Sequence, residues 1–91
     1  MNKYLVEFLG TLILSFVIFA TGNYLAIAAT LAILKLLGDT ISGGMFNPAI
    51  AIAMSIAGRL STKDLIPYII SQIGGALGGY ELFQMSMNRV L

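Results

Sequence analysis

Four apolar stretches run along the chain, separated by short polar or glycine-bearing breaks. The first, Tyr4–Ala20 (YLVEFLGTLILSFVIFA), has the length of a short membrane helix. Residues 21–24 (TGNY) read as a turn, with Gly22-Asn23 as its punctuation. The second stretch, Leu25–Leu37, carries Ala26, Ala28, Ala29 and Ala32, which suit close helix packing. Lys35 sits near its end, where a long stem can carry the charge to an interface. The third, Pro48–Gly58, is about half the roughly 20 residues that a span needs. Polar residues return in GRLSTKD, residues 58–64, where Ser61 or Thr62 can cap the next helix and Asp64 falls in its first turn. The fourth stretch, Leu65–Met85, has Pro67 near its start, where proline is tolerated. It also contains Gly74, Gly75, Gly78 and Gly79, two overlapping small-xxx-small pairs expected to serve helix packing.

These lengths predict an all-α membrane protein. Three transmembrane helices fall at about 4–20, 25–37 and 65–85, with one re-entrant loop and half-helix at about 38–58. Residues 1–91 form a single domain with no internal repeat.

Composition points the same way. Hydrophobic residues make up 58% of the chain and charged residues 10%, and mean hydropathy is +0.93. Soluble domains carry about a quarter charged residues, so this chain has too few to cover a water-facing surface. The expected surroundings are a lipid bilayer. The net charge of +1 gives no reason to expect nucleic acid. Cysteine and histidine are both absent, which removes thiol chemistry, the usual proton shuttle and the commonest metal ligand. Glu7, Asp39, Asp64 and Glu81 are scattered without catalytic spacing, so no enzyme, metal site or cofactor is expected.

Lys3 followed by an apolar run has the outline of a signal peptide. The run's length, and Glu7 within it, favour a retained span instead. Lys3, Lys35, Arg59 and Lys63 fall at one membrane face and Arg89 at the other. The positive-inside rule then places the N-terminus in the cytoplasm.

The break between the second and third stretches, SGGMFNPAIAIAM (residues 42–54), is where chemistry concentrates. A loop entering hydrocarbon must have its backbone polar groups satisfied by protein or water. Gly43 and Gly44 let the chain turn sharply. Asn47 is a good N-cap and Pro48 suits the first helical position. A half-helix starting there aims free N–H groups and partial positive charge at the membrane interior, which favours water oxygens and disfavours cations. With its side-chain oxygen capping the helix, Asn47 keeps its amide NH2 as a free donor.

ISGGMFNPAIAIA resembles the first Asn-Pro-Ala loop of the aquaporin and aquaglyceroporin (major intrinsic protein) family. VEFLGT, residues 6–11, is similar to that family's first-span signature, and SQIGGALGG, residues 71–79, to its third-span signature. The matches occur in family order and cover nearly the whole chain. They correspond to the first of the family's two inverted repeats.

The resemblance implies a passive channel subunit for water or a small neutral solute such as glycerol. It implies that Asn47, Pro48 and Ala49 form one of two midpoint signatures, and that Gly43 and Gly44 expose loop carbonyls to a vestibule. Glu7 would be a buried brace for the loop, with Gln72 bracing it from inside the bundle. The narrow-filter position of the second span falls on Ile27. Three departures stand out: Met45 occupies a position where histidine is common, Ile27 one that is commonly aromatic, and Ile50, not the filter arginine of the second motif, follows Ala49. Three readings remain open. The chain could pair antiparallel with a second copy, or join a complementary half-channel protein. It could instead be a non-transporting regulator of full-length channels, or a truncated remnant.

Overall fold

The computed structural model describes residues 1–90, with side chains as far as Asn88. Four helices follow in order: α1 (Lys3–Thr21), α2 (Tyr24–Ser42), α3 (Pro48–Ile56) and α4 (Thr62–Val90). Asparagine starts three of them. Asn2 accepts from the Tyr4 and Leu5 N–H groups, Asn23 from those of Leu25 and Ala26, and Asn47 from that of Ala49. Each of these bonds satisfies a donor that a helix start leaves orphaned. Left-handed glycines end α1 and α2, at Gly22 (φ 55°) and Gly43 (φ 88°).

α1 and α2 are long and apolar enough to cross a membrane. Polarity is inverted relative to a water-soluble bundle. Glu7, Thr11, Ser15, Ser42, Asp64 and Gln72 are buried, whereas Leu25, Ile33, Leu36, Leu37, Ile66, Ile70 and Leu77 are exposed. An apolar exterior around a hydrogen-bonded polar interior suits lipid.

α1 is the central helix. It packs against α2 on one side and α4 on the other, while α3 packs on α4. The α1–α4 seam depends on glycine. A Cβ on Gly75 would collide with the Phe8 carbonyl oxygen, and one on Gly79 with that of Leu12, so the backbones meet with nothing between them. The Ser15 hydroxyl crosses the seam and donates to the Ala76 carbonyl at 2.7 Å. Where α1 and α4 begin, Lys3 Nζ and the Tyr4 hydroxyl both donate to the Asp64 carboxylate at 2.7 Å. Beside that cluster, Ala51 of α3 packs with Leu60 and Tyr68.

The hydropathy reading needs correction at two helices. The second helix does not stop at Leu37 but continues through residues 38–42, which the apolar pattern gives to the entering loop. Gly38 and Asp39 look like breakers in sequence. Gly38 is instead a packing position, whose added Cβ would lie 3.2 Å from both Phe46 and Val6, and Asp39 pairs with Lys35 one turn earlier. α4 overruns its apolar stretch as far, running Thr62–Val90 rather than 65–85, while α3 closes at Ile56 rather than Gly58.

Candidate pore loop and half-helix

Residues 43–47 connect α2 to α3, and each N–H group from Gly43 to Phe46 has a partner. Glu7, fully buried on the second turn of α1, is the hub. Its Oε1 accepts from the Phe46 N–H and from Gln72 Nε2, both at 2.8 Å. Its Oε2 accepts from the Ser42 hydroxyl at 2.6 Å and from the Met45 N–H at 3.2 Å. Four donors match the four acceptor positions of a carboxylate. Ser42 extends the network, accepting at its hydroxyl from the Gly44 N–H (3.2 Å) and at its carbonyl from the Tyr68 hydroxyl (2.7 Å). One side chain of α1 thus ties together the end of α2, the loop and α4.

Phe46 fixes the loop sterically. Its backbone is left-handed (φ 53°), which a bulky residue adopts only when its surroundings impose it. Its ring fills the space that Gly10 leaves on α1 and Gly38 leaves on α2. That conformation turns the chain so that Asn47 Oδ1 accepts from the Ala49 N–H at 2.9 Å and Pro48 opens α3. Asn47 itself is exposed.

The tip of α3 opens on a groove of about 400 Å³ between α1 and α4. Phe46, Asn47 and Pro48 close one end, and Thr11, Ser15, Gln72 and Ala76 are among the residues along its walls. Two buried polar atoms on those walls, Thr11 Oγ1 and Gln72 Oε1, have no hydrogen-bond partner within the chain. Orphans of this kind are costly in an apolar interior.

Glu7, Gln72, Gly44, Asn47 and Pro48 are therefore brought together around one turn. Gly74, Gly75, Gly78 and Gly79 lie along α1, where Gly75 and Gly79 make the close backbone approach and Gly74 and Gly78 border Phe8 and Leu12. Ile27 stands apart, half-buried near the start of α2 and outside the groove's lining. Ala49 is exposed on the first turn of α3. The Gly43 carbonyl accepts from Lys35 Nζ at 2.6 Å. The sequence reading missed Phe46, Ser42, Tyr68 and Lys35 as loop partners. Lone glycines inside helical patterns, Gly10 and Gly38, were the available signal that something large approaches there.

Residues 21–91 match the profile of the family described as Major intrinsic protein. The chain is 47% identical to glycerol uptake facilitator protein-like 6 of Lactiplantibacillus plantarum, over 85% of this chain and 40% of that protein. It is 36% identical to aquaporin Z of Photorhabdus laumondii, over 99% of this chain and 46% of that protein. The chain thus spans less than half the length of both relatives. No solved structure matches. The braced Asn-Pro turn, the polar interior and the profile match agree: the chain belongs to the major intrinsic protein family, whose members are passive membrane channels rather than enzymes.

Proposed function

We propose that this chain forms one half of a pore for water or a small neutral solute such as glycerol. In this reading α1, α2 and α4 span the bilayer with the N-terminus on the cytoplasmic side, and the loop and α3 re-enter it. The N-terminus of α3 then stands near mid-depth, where its capped, donor-rich end meets passing solute and repels cations. A second half completes the conduit: another copy in antiparallel orientation, or a complementary half-channel segment.

The observation carrying the proposal is the tip of α3. Asn47 is exposed, its oxygen is committed to the helix cap, and it faces an open groove rather than the packed interior. The unpartnered Thr11 and Gln72 oxygens support a further polar element entering that groove. The relatives' names favour glycerol or water as cargo.

Proteoliposomes holding the chain, alone and with candidate second halves, test the proposal by osmotic swelling. Asn47→Leu replaces the donor with an apolar plug and is expected to abolish flux, while Asn47→Asp keeps the cap. Swelling unchanged in Asn47→Leu would remove the loop from the permeation path and leave a non-transporting regulator as the better reading.

A further inference from the structure

Phe46 borders two cavities. Besides closing the groove at the tip of α3, it forms part of the wall of a second cleft, of about 260 Å³, between α1 and α2. The ring sits where the two helices would otherwise meet. An added Cβ on Gly10 of α1 would collide with it, and one on Gly38 of α2 would lie 3.2 Å from its Cζ. The ring is thus a spacer, and Val6, Leu9, Ile13, Leu34, Leu37 and Ile41 line the cleft that it leaves. The described residues around this cleft are all apolar. An apolar space of this kind does not hold water. Leu9, Ile13, Leu37 and Ile41 are also exposed, so the cleft is continuous with the lipid-facing exterior. What reaches it from a bilayer is hydrocarbon, present at the concentration of a solvent.

We propose that this cleft takes one acyl chain of a bilayer phospholipid, and that the chain, by packing on the Phe46 ring, steadies the turn that carries Asn47. Phe46 is the residue through which such a contact can act. Its left-handed backbone (φ 53°) persists only because its surroundings impose it: the N–H donates to Glu7 Oε1 at 2.8 Å, and the ring lies between two glycines. A ring gains dispersion contacts from every atom packed against it, and a hydrocarbon chain in the cleft supplies them on the side away from Asn47. The lipid then belongs to the packing of the loop as Glu7 belongs to its hydrogen bonding. Binding requires only that the chain lie in a membrane. Its bearing on solute passage rests on the channel reading above.

Two measurements on the full chain test the assignment, and neither reads flux. The first places a trace of phosphatidylcholine with a photoactivatable diazirine midway along one acyl chain in proteoliposomes, and locates the labelled residues by mass spectrometry. Leu9 and Ile13 are 36% and 44% exposed, against 61% and 65% for Ile66 and Ile70 of α4. Contact with passing lipid alone would mark the α4 pair more. A chain held in the cleft reverses the order, with about threefold more label on Leu9 and Ile13. Leu34→Trp, or Ile41→Phe where that variant does not fold, fills the cleft and should remove the excess. No excess in the parent, or an excess that survives the filled cleft, overturns the assignment. An excess that falls as the protein-to-lipid ratio rises also overturns it, because a second copy then occupies the cleft. The second measurement is amide exchange in a sterol-based detergent, whose rigid rings do not enter a cleft between two helices, with straight-chain phosphatidylcholine added. The lipid should slow exchange at Met45 and Phe46 about tenfold in the parent, and leave the filled variant and the Ala76 amide of α4 unchanged. Equal slowing in parent and filled variant, or none in either, overturns the coupling to the loop. If both effects appear in a chain that passes no solute, the channel reading fails and the lipid site stands. A chain that passes solute without either effect loses the lipid site alone.

Discussion

The two flanks of α1 are held by different physics. On the α4 side, Gly75 and Gly79 bring two backbones into contact, and the Ser15 hydroxyl donates across the glycine stretch to the Ala76 carbonyl. On the other side α1 packs against α2, and the loop between α2 and α3 is set into that flank. That flank is organised by one carboxylate with four donors and by one aromatic ring set into two glycine gaps. In lipid, where apolar burial gives helices little reason to associate, these are the two available routes: close van der Waals approach and internal hydrogen bonds. The seam gives a rigid wall. The carboxylate satisfies the Met45 and Phe46 N–H groups of a loop that is neither helix nor strand, and a re-entrant turn needs such partners.

The largest expected effect separates the two flanks at Glu7. Glu7→Ala strands the Met45 and Phe46 N–H groups, the Gln72 amide and the Ser42 hydroxyl. Unsatisfied buried donors cost about 1–3 kcal/mol each, and the serine can turn toward the Gly38 carbonyl, so the net loss should be about 3–5 kcal/mol. Glu7→Gln keeps an acceptor but points an NH2 at existing donors, and about 1.5–3 kcal/mol should be lost. Denaturant titration in detergent measures both, with Glu81→Gln as an exposed control. Limited proteolysis should cut at residues 43–47 in Glu7→Ala while the α1–α4 pair stays intact. Loss of all helices at once would mean that the flanks are not separable.

The seam should respond in the opposite way. Gly79→Leu cannot fit, since even a Cβ meets the Leu12 carbonyl oxygen, Ser15 Cβ at 2.7 Å and the Phe16 nitrogen at 2.9 Å. None of these is the end of a flexible side chain, so the backbones must part, at a cost of about 3 kcal/mol. Gly74→Ala is the internal control. Its new Cβ would sit 3.6 Å from Phe8, an ordinary contact, and alanine is the better helix former by about 1 kcal/mol. It should therefore be neutral or slightly stabilising in the same titration. Similar destabilisation in both variants would mean that the four glycines act through flexibility rather than close approach.

These contrasts also mark what the sequence could disclose. Asn47 capping Pro48, the half-length of α3 and the presence of four small residues on α4 follow from local rules, because capping and length concern residues adjacent in sequence. Glu7 and Gln72 as loop partners were legible only through the family resemblance, since 65 positions separate the two bonded residues. Which two of the four glycines meet α1 depends on helix rotation, and the spacing alone does not specify it. The extension of α2 through Gly38 and Asp39 was hidden because both residues weaken helices locally, and their compensation comes from Phe46 and Lys35. The left-handed Phe46 ran against every local preference, so only the assembled pocket explains it.

The smallest expected effect lies where the seam ends. Asp64 falls one residue before the apolar part of α4 and accepts from Lys3 Nζ and the Tyr4 hydroxyl. The hydrogen bond from Lys3, then that from Tyr4, holds its carboxyl below the usual 3.8. Folding therefore favours the ionised form. The contribution is complete above pH 3.8 and is lost as pH falls through the lowered folded value. Asp64→Asn should reduce the melting temperature in detergent by less than Glu7→Ala, Glu7→Gln or Gly79→Leu at neutral pH, because one partner is partly exposed and salt screens such a pair. The difference between parent and variant should shrink with added salt and close below pH 3.8. A gap that persists in acid would assign the role of Asp64 to packing beside Tyr4 and Tyr68, whose rings meet edge-on at 5.9 Å, rather than to charge.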